Sequence, residues 1–337
     1  MKSLVAVVRN EDPYKLVRNS LELADVRRLV KPEQKILIKP NLVGVSWDSP
    51  YFKSEGVYGP PWIGPVGYMT RSSVMDALIR ALKELGCKHI AIAEGSGDCE
   101  TTVAFKASGF CELAEHHGID LIDLNHAPAV KVPVPANNIL EYVWIPKILF
   151  ELDFLIDLTT LKVHGRSAVS LCLKNWGMGV PPAGYYGFAK MGSRRKGIDK
   201  PLPVHRKTGK LVMGQEVALA KVIVDVCKTV TPHLGIIDAI TTVHYAQPIE
   251  DFFPRTYEKT IAQKTNLMIV GTDIVAVDAV ACRIVGIDPR KVLHIKLAAD
   301  EKIGAIDPSS IEIKGETLDQ SRVKCNVLLS QKEILLQ

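Results

Sequence analysis

The sequence predicts an α/β fold: two lobes built on mainly parallel sheets with flanking helices, and a ligand cleft at the carboxyl ends of the strands. Three observations carry this. Short β-branched runs alternate with apolar-faced helical stretches along the whole chain. The runs are separated by helix-length connections, as parallel strands require. Each run also ends in polar or ionisable residues, where an open parallel sheet binds its ligands. At 337 residues the chain suits two ordinary domains, expected at 1–150 and 151–337.

The elements follow in order. Residues 1–9 read as a first strand and are too short an apolar run for a signal peptide. Lys35 to Lys39 is a compact strand ended by Pro40-Asn41. After a Gly/Pro/aromatic segment over 44–67, Ser72 or Ser73 is placed to cap a helix that Gly86 ends. A strand over 89–94, a helix over about 102–117 and a strand over 119–124 complete the first half. The second half offers strands over 153–158, 234–238 and 266–271, with helices over 216–229 and 274–285. A second long segment, 176–215, is Gly-rich and then basic: Lys190, Arg194, Arg195, Lys196, Lys200, Arg206, Lys207 and Lys210. Segments of this length are usually lids or inserts, and a basic lid over an anion is the expectation.

Composition excludes several classes. Apolar residues make up 47% and charged residues 23%, an ordinary globular balance. No 18-residue uncharged run exists to span a membrane. Lys+Arg minus Asp+Glu is 42 − 37 = +5, which permits anionic partners without requiring nucleic acid. The seven cysteines include no C-x-x-C pair, which argues against a disulfide framework, a tetrahedral cysteine zinc site or an intrinsic cysteine-ligated iron–sulfur cluster. Cys227 and Cys282 read as small core residues. A reducing, cytoplasmic setting is expected.

The candidate site residues stand at the strand exits. Lys39 is either a snorkelling surface lysine or a ligand contact, with Asn41 beside it. Glu94 precedes Gly95-Ser96-Gly97, which is either a plain turn or an anion cradle; it lacks the full spacing of a nucleotide loop. Lys162-x-His164, followed by Lys174-Asn175, is the richest cluster. If extended, Lys162 and His164 share a face and are suited to move protons or hold a carboxylate or phosphate. Asp278, inside an apolar helix, either hydrogen-bonds the backbone or faces the cleft. His116-His117 is explained by the helix dipole without metal. His164, His205, His244, Asp238 and Asp273 are weak metal candidates, with no recognised ligand spacing among them.

Several stretches together resemble the domain of unknown function 362 (DUF362) family. They are Ile36 to Leu42, Thr70 to Val74, Glu94 to Gly97, Asp153 to Asp157 before Leu161 to His164, Leu173 to Gly177, and Gly271 to Val280. Their order matches, and the resemblance covers roughly residues 37–305. Thr70-Arg71-Ser72 departs from it, since the family usually has proline two residues after the threonine. Many members add a cysteine-rich ferredoxin-like region, which this sequence lacks. A looser similarity links residues 164–174 to the nickel-pincer lactate racemases, and it implies architecture rather than nickel.

The resulting expectation is an enzyme that holds an anionic small molecule. Lys162, His164 and Lys174 would serve as catalytic groups. Lys39, Asn41, Thr70, Glu94, Ser96, Asn175 and His205 would be ligand contacts. One alternative is an accessory or redox partner of an iron–sulfur protein. Another is nucleic-acid binding through the basic loop, with Tyr185, Tyr186 and Phe188 stacking on bases.

Overall fold

The computed structural model describes residues 2–45, 50, 67–188, 190, 202–203, 210–247 and 259–336. Its strands are β1 (Ser3–Arg9), β2 (Lys35–Lys39), β3 (His89–Glu94), β4 (Asp120–Asp123), β5 (Ala129–Pro133), β6 (Tyr142–Pro146), β7 (Phe154–His164), β8 (Ala168–Ser170), β9 (Leu211–Val212), β10 (Gln215–Glu216), β11 (Leu234–Tyr245), β12 (Thr260–Gly271) and β13 (Ile311–Gly315). The α-helices are α1 (Pro13–Leu23), α2 (Ser72–Glu84), α3 (Thr101–Ala107), α4 (Phe110–His117), α5 (Cys172–Gly179), α6 (Ala183–Tyr186), α7 (Val217–Thr229), α8 (Ile274–Ile284), α9 (Leu293–Asp300) and α10 (Leu318–Ser321).

Nine strands form one sheet in the order β13-β1-β12-β11-β7-β2-β3-β4, with β8 pairing on β7. The run β11-β7-β2-β3-β4 is parallel throughout. The first and second halves of the chain meet inside this sheet, because β2 pairs with β7.

The sequence alternation decides which side chain goes to which face. Leu37 enters one core and its neighbours Ile36 and Ile38 enter the other. Leu155 and Ile237 likewise join the first, with Phe154, Ile156 and Ile236 in the second. Helices α5, α7 and α8 cover the first face, and α1, α2 and α4 cover the second. The protein is therefore three layers with the sheet in the middle. Among the described residues no helix is long and apolar enough to cross a membrane.

Several expectations need correction. The strands expected over 153–158 and 234–238 run further, β7 to His164 and β11 to Tyr245, so 162–164 is extended. The helix expected over 102–117 breaks into α3 and α4, since Gly109 takes a left-handed φ of 74° between them. Neither Ser72 nor Ser73 caps α2: Arg71 holds the N-cap position, without a side-chain hydrogen bond. The long segment expected from Trp176 begins later, because Trp176 to Gly179 form the end of α5. There the Trp176 indole donates to Val230 O at 2.8 Å, and Gly177 lets α5 approach the backbone of Ile223 in α7. The aromatic residues Trp47, Tyr51, Phe52, Tyr58 and Trp62 lie outside the described residues, as does most of the basic run.

Candidate functional site

Parallel pairing places β2 and β3 exits side by side, with Ile38 opposite Ile92. One residue further on, the Lys39 ammonium lies 2.8 Å from Glu94 Oε1, both side chains almost fully buried. Lys39 also donates to Pro40 O at 3.0 Å and to Asn175 Oδ1 at 3.2 Å. The Glu94 carboxylate accepts two backbone N–H groups as well, from Gly95 at 2.7 Å and Leu42 at 2.8 Å. Lys39 is thus no surface lysine.

Asn175 is delivered from α5 and joins the strands. Its Oδ1 accepts from Asn41 Nδ2 at 2.9 Å, and its Nδ2 donates to Asp157 Oδ1 at 2.6 Å and Pro40 O at 3.1 Å. Thr70 Oγ1 accepts from Asn41 N at 2.8 Å and donates to Leu158 O at 2.9 Å. Lys162, inside β7, donates to Asn41 Oδ1, to Tyr68 O at 2.6 Å and to Thr160 Oγ1 at 3.0 Å. Lys39, Asn41, Thr70, Glu94, Lys162 and Asn175 therefore form one buried network.

Lys190 joins from the other side, 2% exposed, donating to Asn125 Oδ1 at 2.7 Å and Pro181 O at 2.5 Å. Two glycines make room for the lysines. A Cβ on Gly179 would collide with Lys39 Cε and Nζ, and one on Gly95 would meet Gly179 O and come within 3.0 Å of Lys190 Nζ.

Burial shifts these groups in telling directions. Lys190 is pushed down to about 7 by burial. Lys174, on α5, is pushed down to about 8 by burial and then by Arg166. Burial, with Lys174 beside it, pushes Lys162 down too, yet three oxygen acceptors for its three donors favour the ammonium. Asp157 is raised well above the carboxylate range by burial, and its Oδ2 has no partner.

A second group lies at the far end of β7. His164 Nδ1 accepts the N–H of Arg166 at 3.1 Å, so its proton sits on Nε2. Burial, then Lys174, holds this ring well below its ordinary pKa, hence neutral. His294 on α9 is completely buried with neither ring nitrogen partnered. Burial, then Lys174, pushes it down to about 3. Among the described residues the Lys174 ammonium has no hydrogen-bond or ion-pair partner.

Other candidates do not join. The N–H groups of Gly95, Ser96 and Asp98 are taken by Glu94, Thr101 and Val43 O, so this loop serves as a turn rather than an open cradle. The Ser96 hydroxyl faces Cys99 Sγ at 3.3 Å. Asp273 caps α8 through Val275 N and Ala276 N and also holds Ser3 and Ala305 N. Asp238 pairs with Arg71 at 3.6 Å, and His244 contacts Gln263 and Asn326. No metal-compatible group gathers His164, His244, Asp238 and Asp273 among the described residues; His205 lies outside them. Asp278 takes the structural role, accepting Cys172 N at 2.8 Å and Leu173 N at 3.0 Å to start α5. The rings offered for base stacking are spent: Tyr186 and Phe188 are buried, and Tyr185 stacks on Trp144 at 4.5 Å.

Sequence reasoning missed Asp157, Asn125 and His294. A carboxylate within the apolar run Phe154 to Leu158 was a usable signal, because such a group needs a partner. Lys190 belongs in the sequence to the expected basic lid, and only the fold reveals its burial.

Fold and site together define an α/β protein with a buried, lysine-rich polar network at the carboxyl ends of parallel strands. The model of the domain of unknown function family DUF362 matches residues 36–283, and the chain belongs to that family. A comparison with curated proteins finds no match.

Proposed function

We propose that this chain is an enzyme that binds a small anion, a carboxylate or phosphate, at the carboxyl ends of β2, β3 and β7. One observation carries the reading. Lys39, Lys162, Lys174 and Lys190 lie at this end of the sheet, and, after burial, the charge of Lys39 helps push the other three down. The buried acids of the network are Glu94 and Asp157, and Asp157 resists ionisation. Buried cations in excess of anions are costly unless a ligand supplies the missing charge.

The roles divide by what each donor already holds. Lys39 and Lys162 spend their protons on fixed oxygens and act as positioning residues. Among the described residues Lys174 has none so engaged, and with a pKa near 8 its amine is suited to accept or donate a proton. His164, neutral with its proton on Nε2, is a hydrogen-bond donor to the same ligand rather than a titrating base. Asp157, whose carboxylate form is disfavoured by burial, adds little negative charge and leaves the cationic excess for the ligand to offset.

Titration calorimetry with phosphate, pyrophosphate and malonate tests this. Saturable binding of at least one probe is expected, at a dissociation constant below about 1 mM, worth about 4 kcal/mol. Lys174→Ala should remain folded and bind at least tenfold more weakly. The reading fails if no probe saturates the protein, or if the variant binds like the parent.

A further inference from the structure

We propose that Glu100, Asp123 and His126 form a binding site for one divalent transition-metal ion of the Zn²⁺ or Mn²⁺ class. This goes beyond the anion reading and does not depend on it. One donor atom from each residue lies within 4.8 Å of the other two, the one such group of three among the described residues.

Topology explains why residues so far apart in sequence meet. β3 and β4 are parallel neighbours with Glu94 opposite Asp123. The connection from β3 to α3, which carries Glu100, therefore lies beside the exit of β4. Asp123 is the last residue of β4, and His126 stands three residues beyond it.

The turn between the two is rigidly held, as a metal site needs. Asn125 donates to Ser96 O at 2.8 Å and Thr101 Oγ1 at 3.1 Å, and its backbone N–H donates to Asp123 Oδ1 at 2.8 Å. His126 Nε2 lies 2.7 Å from Glu100 Oε2. That pair accounts for two of the three residues. Asp123, held by the Asn125 N–H, brings a second carboxylate up to the first, where two like charges favour a cation between them.

The donor set selects the ion. Two carboxylate oxygens with one imidazole nitrogen suit Zn²⁺, Mn²⁺ or Fe²⁺ better than Ca²⁺ or Cu⁺. Bonds of about 2.0–2.2 Å put tetrahedral donors about 3.3 Å apart. The His126–Glu100 pair must open slightly and Asp123 close slightly, which side-chain rotation allows because His126 is exposed. Three protein ligands leave at least one position for water or an anion. Asn125, between the two ligands, also accepts from Lys190, so the ion would stand one residue away from the lysine network.

The test uses Zn²⁺ and Co²⁺ added to the purified full chain. One equivalent of Zn²⁺ should bind by calorimetry, and Co²⁺ should give d–d absorption without thiolate charge-transfer bands. His126→Ala and Asp123→Asn should each weaken Zn²⁺ at least tenfold while circular dichroism is unchanged. Lys174→Ala should bind Zn²⁺ like the parent, which separates this site from the anion reading. Absence of stoichiometric binding, undiminished binding in both ligand variants, or thiolate bands would overturn it.

Discussion

Lys39 and Glu94, on parallel neighbours β2 and β3, form an ion pair of 2.8 Å whose side chains are 1% and 2% exposed. Removing one partner of such a pair leaves an uncompensated buried charge, at about 3–5 kcal/mol. Glu94→Ala would also orphan the N–H groups of Gly95 and Leu42. Denaturant unfolding should therefore show Glu94→Ala destabilised by at least about 3 kcal/mol. A loss below about 1 kcal/mol, the range of an exposed pair, contradicts this account of the pair.

The close approach at Gly179 gives a second prediction. A Cβ there would occupy the space of Lys39 Cε and Nζ, so Gly179→Ala must push the ammonium off Glu94 and Asn175. Overpacking of this kind costs about 1–3 kcal/mol. Phosphate, pyrophosphate or malonate binding should fall with it. Equal stability and equal binding in Gly179→Ala would show that the contact yields freely.

Much of this was legible in the sequence, and the limits are physical. The apolar runs around Ile36 to Ile38 and Leu267 to Ile269 announce central strands, because both faces of the sheet are buried and the apolar run is unbroken. Lys39, Asn41, Glu94, Lys162 and Asn175 stand out as candidates because they interrupt or follow such runs. What periodicity does not encode is pairing. Nothing local to Lys35–Lys39 says that β7 lies beside β2, so the sharing of one sheet by both halves was not visible. Nor does Lys190, among basic neighbours, announce burial on Asn125. Gly109 splits α3 from α4 through its left-handed φ, although the apolar pattern runs on.

Stability and ligand affinity should respond to pH with opposite signs. Lys174 has a folded-state pKa near 8, below its unfolded value of about 10.4. Between those values the unfolded chain binds more protons, so apo stability rises with pH, by at most about 1.4 kcal/mol per unit from this group. A bound anion raises the Lys174 pKa and takes up a proton in the same window, so affinity falls as pH rises above about 8. Calorimetry in buffers of different ionisation enthalpy should detect that uptake, and Lys174→Met should reduce it, leaving the part taken up by Lys190, which burial pushes down to about 7. Affinity independent of pH from 7 to 10 would contradict the assignment of Lys174.

His294 separates a structural role from a ligand role. It is completely buried with both ring nitrogens unpartnered, and burial, then Lys174, pushes it down to about 3, so the ring is neutral near pH 7. An unsatisfied buried polar group costs about 1–3 kcal/mol. Were the ring only a core residue, an apolar side chain of similar size would serve better. His294→Leu should accordingly raise the unfolding free energy or leave it unchanged. The same variant should weaken anion binding, because the unpartnered nitrogens lie close enough to Lys174 to feel its charge. Unfolding curves and calorimetry on one preparation decide it. A destabilised variant with parental affinity would assign His294 to packing alone.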